Sequence, residues 1–476
     1  MLTPARRGLV LLVSVALGGT LLGSPSATAR PAPADPRPGA SGVGDPYFPL
    51  DGNGGIDVRR YEVHVSYDFE SAELRGRTRV TLTAERDLSR FNLDLVLPVR
   101  SVRVDGRPAA YRKPDPHELQ VTPRRPLRAG RTVDVVVEYG GRPGSVSYAG
   151  SRPWLADRHE VVTMAEPHMA PWWFPANDHP TDRARMDVHV TVPREKQVVS
   201  NGRRVGRTVR GERATTHWRS SDPMVPYLAF FAAGDFRVKQ GRHRGLPWYV
   251  AVSERLTAPQ QQRSMRLMRR TPGITAWAER RLGRYPFEST GGITTSLNPG
   301  FALENQTRPT YPVLGRGGRS IVVHEVAHQW FGDSVSVERW RDVWLNEGAA
   351  TWMEALWRET HGGQSGQQWL ETTHAGLSRD PDFWRLRIDH PGRRDLFSFE
   401  VYLRGGMTFQ ALRHRIGDRD FMALLRTWLR TRAGTTGSTA QFTALAEEVS
   451  GEDLDEFFDA WLRTPERPAR TAANGF

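Results

Sequence analysis

Hydrophobic and polar residues alternate with a period of two through the first half of the chain. The alternation is clearest in residues 61–67, 132–139 and 186–192. It places apolar side chains on one face of a half-buried strand. Asn201-Gly202, after another apolar run, predicts a hairpin turn. We therefore predict an antiparallel, β-rich domain over residues 47–243.

The spacing of apolar residues lengthens after about residue 246, where they recur three and four positions apart. This periodicity is typical of amphipathic helices. The predicted helices cover residues 260–282, 320–331, 343–360, 407–416, 421–432 and 440–462. We therefore expect a mainly helical second domain over residues 244–476, and a multidomain α+β fold for the whole chain.

The N-terminus has the pattern of an export signal. Arg6 and Arg7 precede an apolar run, and Ala27-Thr28-Ala29 offers an A-x-A cleavage site. A membrane anchor is the alternative, but the run of about 15 residues is shorter than the roughly 20 that a spanning helix needs. We predict a signal peptide over residues 1–29, a flexible leader over 30–46 and a secreted protein without stable membrane insertion. The export route, general secretory or twin-arginine, stays open.

The composition excludes several kinds of site. The 476 residues include no cysteine, which rules out disulfides, thiolate metal ligands and cysteine nucleophiles. A transition metal would need histidine and carboxylate ligands. The formal net charge is +13, but the basic residues are scattered and all except Lys113, Lys196 and Lys239 are arginines. We therefore expect no binding to nucleic acid.

One short motif has the spacing of a metal site. His324-Glu325-Val326-Ala327-His328 lies in an apolar, helix-compatible segment. Because residues i and i+4 share a helical face, both imidazoles can bind one ion, with Glu325 beside it. Glu347 follows nineteen positions after His328 in the next predicted helix, and a reversal between the helices can bring its carboxylate to the same ion.

Two histidines and one carboxylate leave the fourth position of a zinc ion for water, as in catalytic sites. Other first-row metals are not excluded by these ligands, although tetrahedral N/O ligation favours zinc. The alternative is a buried helix whose histidines are satisfied by core hydrogen bonds, with Glu347 as a surface cap. Burying these groups without a partner would be costly, which favours the metal site.

These motifs resemble the zinc aminopeptidase family that includes aminopeptidase N and leukotriene hydrolase, the gluzincin metallopeptidases. In that family HExxH is followed by Glu in a W-L-N-E-G context, as in residues 344–348 here. The resemblance implies one Zn²⁺ bound by His324, His328 and Glu347, with Glu325 as the general base. It also implies a saddle-like N-terminal β domain, a thermolysin-like catalytic domain, and a short form without the C-terminal helical domain of many members.

Three further segments resemble family motifs in the same order along the chain. Residues 163–180 resemble T-Q-x-E-P…F-P-x-x-D-x-P, which implies that Glu166 contacts the substrate's free amine. Residues 301–305 resemble the exopeptidase motif G-x-M-E-N, so Glu304 would anchor the α-amine. Residues 401–405 resemble Y-x-K-G, so Tyr402 would be the catalytic tyrosine. Taken singly, Glu166 could also be a loop carboxylate, Glu304 part of a turn, and Tyr402 a core tyrosine.

Three departures from the family pattern concern the substrate site. Phe301 replaces the motif's Gly, Leu303 its Met, and Met164 stands where the family often has Gln. A side chain at position 301 prevents the close backbone approach that Gly permits. Glu354, seven residues after Glu347 on the same helical face, either orients a metal ligand or is a plain helix carboxylate.

The expected function is a secreted zinc aminopeptidase that acts on peptides with a free N-terminus. Alternatives are a zinc endopeptidase or dipeptide-releasing peptidase, a non-catalytic binding module, and an epoxide hydrolase. The sequence leaves open the preferred N-terminal residue, the physiological substrate and the oligomeric state.

Overall fold

An eight-stranded sheet dominates the N-terminal half. The computed structural model describes residues 35–476. The strands of this half are β1 Arg37–Pro38, β2 Ile56–Asp68, β3 Glu73–Ala84, β4 Leu88–Asp94, β5 Val99–Val104, β6 Arg107–Pro108, β7 Ala110–Arg112, β8 Glu118–Thr122, β9 Thr132–Gly141, β10 Leu155–Ala156, β11 Val161–Val162, β12 Ala184–Pro193, β13 Gln197–Ser200, β14 Arg203–Arg210, β15 Arg213–Met224 and β16 Phe231–Gly234. The large sheet has the order β14-β15-β12-β2-β3-β9-β5-β6.

Side chains alternate between the two faces of these strands. Tyr61, Val63 and Val65 on β2 are buried in the core, as expected where successive residues point to opposite sides of a sheet. Two four-stranded sheets, β1-β4-β8-β7 and β10-β11-β16-β13, complete this half. The predicted β-rich N-terminal domain is confirmed, with a parallel pair, β12 with β2, inside the otherwise antiparallel large sheet.

The hairpin predicted at Asn201-Gly202 is not formed. β13 pairs with β16 and β14 pairs with β15, so the turn connects two different sheets. The Nδ2 atom of Asn201 donates to the backbone oxygens of Leu228 at 3.0 Å and Gln306 at 2.8 Å. Gly202 has a φ of +71°, and a Cβ there would lie 2.0 Å from the backbone oxygen of Arg219. The pair therefore serves tertiary contacts that a local turn signal does not reveal.

A hairpin crosses the predicted domain boundary at residues 243/244. Its strands, β17 Phe236–His243 and β18 Leu246–Ser253, join β19 Thr290–Thr294 and β20 Thr310–Tyr311 in the order β17-β18-β19-β20. β17 therefore shares a sheet with strands of the second half, although the prediction assigned it to the first. Alternation identifies a strand but not the sheet that it joins.

Helices make up most of the second half. They are α1 Ala258–Met268, α2 Thr271–Leu282, α3 Gly318–Ala327, α4 Trp344–Glu359, α5 Gly366–Gly376, α6 Pro381–Arg385, α7 Phe399–Thr431, α8 Thr439–Ser450 and α9 Asp455–Phe458, with the short strands β21 Val335–Val337 and β22 Thr435–Gly437. The predicted helical domain is confirmed, although α1 and α2 replace a single predicted helix because Pro272 has no backbone N–H to donate to the carbonyl of Met268. No helix among residues 35–476 is both long and apolar enough to cross a bilayer.

α4 and α7 approach each other closely where Gly348 faces Gly405. A Cβ on Gly348 would lie 2.8 Å from the carbonyl carbon of Gly405, and a Cβ on Gly405 would lie 2.9 Å from the Cα of Gly348. The contact therefore requires that neither residue has a side chain. Trp344 packs against Phe409 beside it, with ring centroids 5.7 Å apart. This packing places Tyr402, in the first turn of α7, next to α4.

The segment before residue 47 is only partly described. The predicted signal peptide, residues 1–29, and the first part of the predicted leader lie outside the described residues. For residues 36–46 the prediction of a flexible leader is wrong, since β1 pairs with β4 and Asp45 is buried. The Oδ2 atom of Asp45 accepts a hydrogen bond from the backbone N–H of Trp340 at 2.9 Å. This long-range contact orders a segment whose composition is typical of a linker.

Candidate metal centre and substrate cavity

The structure brings His324, His328 and Glu347 together. α3 carries His324, His328 caps the C-terminus of α3, and the first turn of α4 carries Glu347. The Oε2 atom of Glu347 lies 3.3 Å from Nε2 of His324 and 3.4 Å from Nε2 of His328. All three residues are buried, and one ligand atom from each lies within 4.8 Å of the others.

The other nitrogen of each imidazole is already bonded. Nδ1 of His324 lies 3.0 Å from Oε1 of Glu354, and Nδ1 of His328 lies 3.0 Å from the backbone oxygen of Phe331. Because both oxygens accept, each Nδ1 carries the proton and each Nε2 is left to bind a metal. Of the two interpretations of Glu354, the geometry favours the one in which it orients a ligand.

The three donors fit a single zinc ion. Two imidazole nitrogens and one carboxylate oxygen are the set found in catalytic zinc sites. Without a metal ion both imidazoles are protonated, and although burial opposes ionisation of Glu347, their charges and hydrogen bonds lower its pKa to about 2. A metal cation would replace the protons on the two Nε2 atoms. Glu347 therefore stays ionised, as a metal ligand must.

Glu325 lies beside the triad and faces the same cavity, which has a volume of about 490 Å³. Burial raises the pKa of Glu325 to about 8, against the opposing effect of His324 and His328. In its ionised form, a carboxylate with a raised pKa is a stronger base than an exposed one, which suits a residue that accepts a proton from water.

Glu304 and Glu166 line the cavity together with Glu325. Glu304 is buried, and its Oε1 accepts a hydrogen bond from the hydroxyl of Tyr227 at 3.2 Å. Burial and the neighbouring Glu304 raise the pKa of Glu166 well above its usual value, and its buried Oε1 has no hydrogen-bond partner among residues 35–476. Grouped carboxylates of this kind provide a site for a substrate's positive charge.

Tyr402 and Phe301 form other parts of the cavity wall. The ring of Tyr402 stacks on that of His324, with centroids 5.9 Å apart and an interplanar angle of 18°. Burial and the charge of Glu347 raise the pKa of Tyr402 well above its usual value, so its hydroxyl remains a hydrogen-bond donor. Phe301 is 45% exposed, so the residue that replaces the motif's Gly stands at the mouth of the cavity.

Sequence reasoning missed Tyr227 and Gln329, which hold Glu304 in place. Gln329 donates from Nε2 to the backbone oxygen of Glu304 at 2.9 Å and accepts the N–H of Thr307 at 2.7 Å. Gln329 directly follows His328, and this adjacency to the motif was the one available signal. Tyr227 lies in an apolar segment far from any motif, so nothing in its surroundings indicated a role.

Two family models match the chain. The model described as "Peptidase M1 N-terminal domain" matches residues 58–228, and that described as "Peptidase family M1 domain" matches residues 315–461. Together the matched segments make up more than half of the chain.

Curated relatives include "Aminopeptidase M1-C" of Oryza sativa, 24% identical over 85% of this chain and 49% of that protein, and "Leucyl aminopeptidase" of Saccharolobus solfataricus, 22% identical over 88% of this chain and 55% of that protein. The chain thus spans about half the length of the curated relatives that it matches.

A solved structure with the same fold is the M1 zinc metallopeptidase of Deinococcus radiodurans. It is 28% identical, with a TM-score of 0.80, and the match covers 90% of this chain and 99% of that one. A mutant of the Deinococcus protein bound to a Tyr-Ser-Ala substrate matches equally well, with a TM-score of 0.80. These matches confirm the predicted family resemblance and its single catalytic zinc ion. The chain belongs to the peptidase M1 family of zinc metallopeptidases.

Proposed function

We propose that this protein is an exported aminopeptidase that removes single residues from the free N-terminus of peptides. The position of Glu304 carries the proposal, because one ligand atom each of Glu304, Glu325 and His328 lie within 4.8 Å of one another. An extended residue spans about 3.3–3.6 Å. A terminal ammonium group bound at Glu304 therefore leaves room for one residue before the metal donors, which favours aminopeptidase activity over dipeptide release.

His324, His328 and Glu347 would hold the zinc ion. Zinc in such a site polarises the scissile carbonyl and lowers the pKa of the attacking water. Glu325 accepts the proton of that water and passes it to the nitrogen of the leaving amine. Both transfers take place in a buried cavity, where Glu325 is 5% exposed and bulk water does not compete for its proton.

Two further groups position the substrate. The carboxylate of Glu304, with Glu166 beside it, binds the ammonium group and sets the first peptide bond over the metal ligands. The hydroxyl of Tyr402 donates a hydrogen bond to the carbonyl oxygen as that oxygen gains negative charge, and one such donor contributes about 3 kcal/mol to the transition state. The aminopeptidase names of the curated relatives support the same activity.

The test compares one peptide in two forms, with a free and with an acetylated N-terminus. We expect hydrolysis of the free form alone, one residue at a time, and loss of activity with a chelator that zinc restores. Mass spectrometry of the products separates single residues from dipeptides and internal fragments. Equal cleavage of both forms would favour the endopeptidase alternative. The structural observation behind that alternative is Phe301 at the cavity mouth, in place of the motif's Gly.

Export rests on the N-terminal sequence. Expression of the full chain in a bacterial host should yield a secreted form whose first residue is Arg30, after cleavage behind Ala29. N-terminal sequencing of the protein in the medium tests this. An uncleaved protein that stays with the cells would contradict it.

A further inference from the structure

A second group of metal-ligating side chains is buried in the N-terminal half, away from the catalytic cavity. Asp94 ends β4 and Glu118 begins β8, and the two residues are direct partners in the antiparallel pairing of these strands. His117 precedes Glu118. His117 and Asp94 are 0% exposed and Glu118 is 2% exposed.

The donor atoms of these side chains converge. Nδ1 of His117 lies 3.7 Å from Oδ1 of Asp94 and 4.0 Å from Oε1 of Glu118. One ligand atom from each of the three residues lies within 4.8 Å of the others. These separations are slightly longer than those between donors around one bound cation, so small side-chain rotations would complete a site.

In the described part of the chain the side chains of His117 and Glu118 lack hydrogen-bond partners, whereas the Asp94 oxygens accept one bond each, from Nδ2 of Asn53 at 3.0 Å and from the backbone N–H of Asp178 at 2.6 Å. Among residues 35–476, neither ring nitrogen of His117 and neither carboxylate oxygen of Glu118 has such a partner. Other unpartnered buried oxygens belong to residues packed nearby: Oδ1 of Asn53, Oδ1 of Asn92 and Oδ2 of Asp178. Buried polar groups are nearly always satisfied in native proteins, so this concentration of unpartnered atoms indicates a missing ligand.

No nearby cation balances the carboxylates. Within the described chain no arginine or lysine forms an ion pair with Asp94 or Glu118, and Lys113 donates instead to the backbone oxygen of Leu97 at 3.3 Å. A buried carboxylate without a partner is strongly destabilising. The group must therefore take up either protons or a metal cation.

We propose that Asp94, His117 and Glu118 bind a second divalent transition-metal cation, which has a structural role. An imidazole nitrogen favours zinc or another first-row metal over calcium or magnesium, and the two carboxylates neutralise its charge. Complete burial leaves no entry for a substrate, which separates this site from the catalytic one.

The cation would stabilise the segment that carries Glu166. The ring of His168 lies 6.4 Å from that of His117, and Nε2 of His168 lies 2.5 Å from Oδ2 of Asp51. His168 follows Glu166 by two residues. A metal ion bound to His117 would therefore stabilise the packing beneath residues 166–168. Its removal should lower the unfolding temperature of the protein.

The test counts metal ions in the mature chain, residues 30–476. The protein is stripped with a chelator, reloaded with Zn²⁺ or, in a parallel arm, Mn²⁺, desalted and analysed by elemental mass spectrometry. We expect about two zinc ions in the wild-type chain and about one in the His324→Ala/His328→Ala variant, which lacks the catalytic ligands. A His117→Ala/Glu118→Gln variant should also bind about one, with its catalytic ion retained.

A surface control is needed, because His64, His189 and His217 stack across neighbouring strands at ring distances of 4.2 and 3.9 Å and offer zinc a different place to bind. The His189→Ala variant should keep both ions. The proposal would be overturned if the wild-type chain bound only one ion after reloading with Zn²⁺ and also after reloading with Mn²⁺. It would also be overturned if the His189→Ala variant lost the second ion and the His117→Ala/Glu118→Gln variant kept it. If the His117→Ala/Glu118→Gln variant does not fold, the metal content of the wild-type chain, the His324→Ala/His328→Ala variant and the His189→Ala variant still tests the proposal.

Discussion

Glu354 offers a sharp test of how the metal site is built. Its Oε1 accepts a hydrogen bond from Nδ1 of His324 at 3.0 Å, and its Oε2 accepts one from Ser320 at 2.5 Å. A Glu354→Ala substitution leaves His324 free to rotate and makes its imidazole a weaker ligand. Loss of such a partner lowers metal affinity about 10–100-fold, which corresponds to about 1.4–2.8 kcal/mol of binding free energy.

The assay is competition for zinc between the protein and a chromophoric chelator, with peptide hydrolysis at saturating zinc as the second readout. Glu354→Ala should bind zinc more weakly and recover most of its activity at high zinc concentration. Glu354→Gln should show a smaller loss, since the amide oxygen can still accept the hydrogen bond. The matched control is Glu359→Ala on the same helix, where the carboxylate pairs with Arg413 at 3.1 Å. Equal zinc affinity in Glu354→Ala and the wild type would refute this reasoning.

Three further substitutions test the residues of the cavity. Glu325→Gln should abolish peptide hydrolysis while zinc content stays unchanged, because only the proton acceptor is lost; near-normal hydrolysis by the zinc-loaded variant would remove Glu325 as the base. Tyr402→Phe should lower kcat by about 10²–10³ with little change in KM, since its hydroxyl acts on charge that develops in the transition state; an effect confined to KM would contradict that role. Glu304→Gln should raise KM for free peptides and narrow the difference in kcat/KM between free and acetylated peptides, and an unchanged ratio would place the ammonium group elsewhere.

The metal ligands could be located from the sequence because their spacing follows from helix geometry alone. Residues 324 and 328 share a face of any α-helix, and the second helix was visible in the apolar periodicity around Glu347. The roles of Glu304 and Tyr402 came from family resemblance, since neither residue has a spacing that indicates chemistry. The structure brings both to the cavity that the metal ligands line.

Other features depend on contacts between distant parts of the chain, which local patterns do not encode. The hydrogen bond from Tyr227 to Glu304 joins residues 77 positions apart. Asn201-Gly202 has the local signature of a hairpin, but long-range pairing assigns its flanking strands to different sheets. The order of residues 36–46 likewise depends on Asp45 and its contact with Trp340. Each difference arises where tertiary pairing outweighs a local preference.

The contact between Gly348 and Gly405 makes the catalytic geometry sensitive to positions without any functional group. Gly348 directly follows Glu347, and Gly405 lies three residues after Tyr402, so the distance between the two helix axes sets how far the tyrosine hydroxyl stands from the metal ligands. Adding a single methyl group at either glycine would push the helices apart and misplace two catalytic elements together. Engineering of substrate preference therefore has more freedom at the exposed rim, around Phe301, than at this helix crossing.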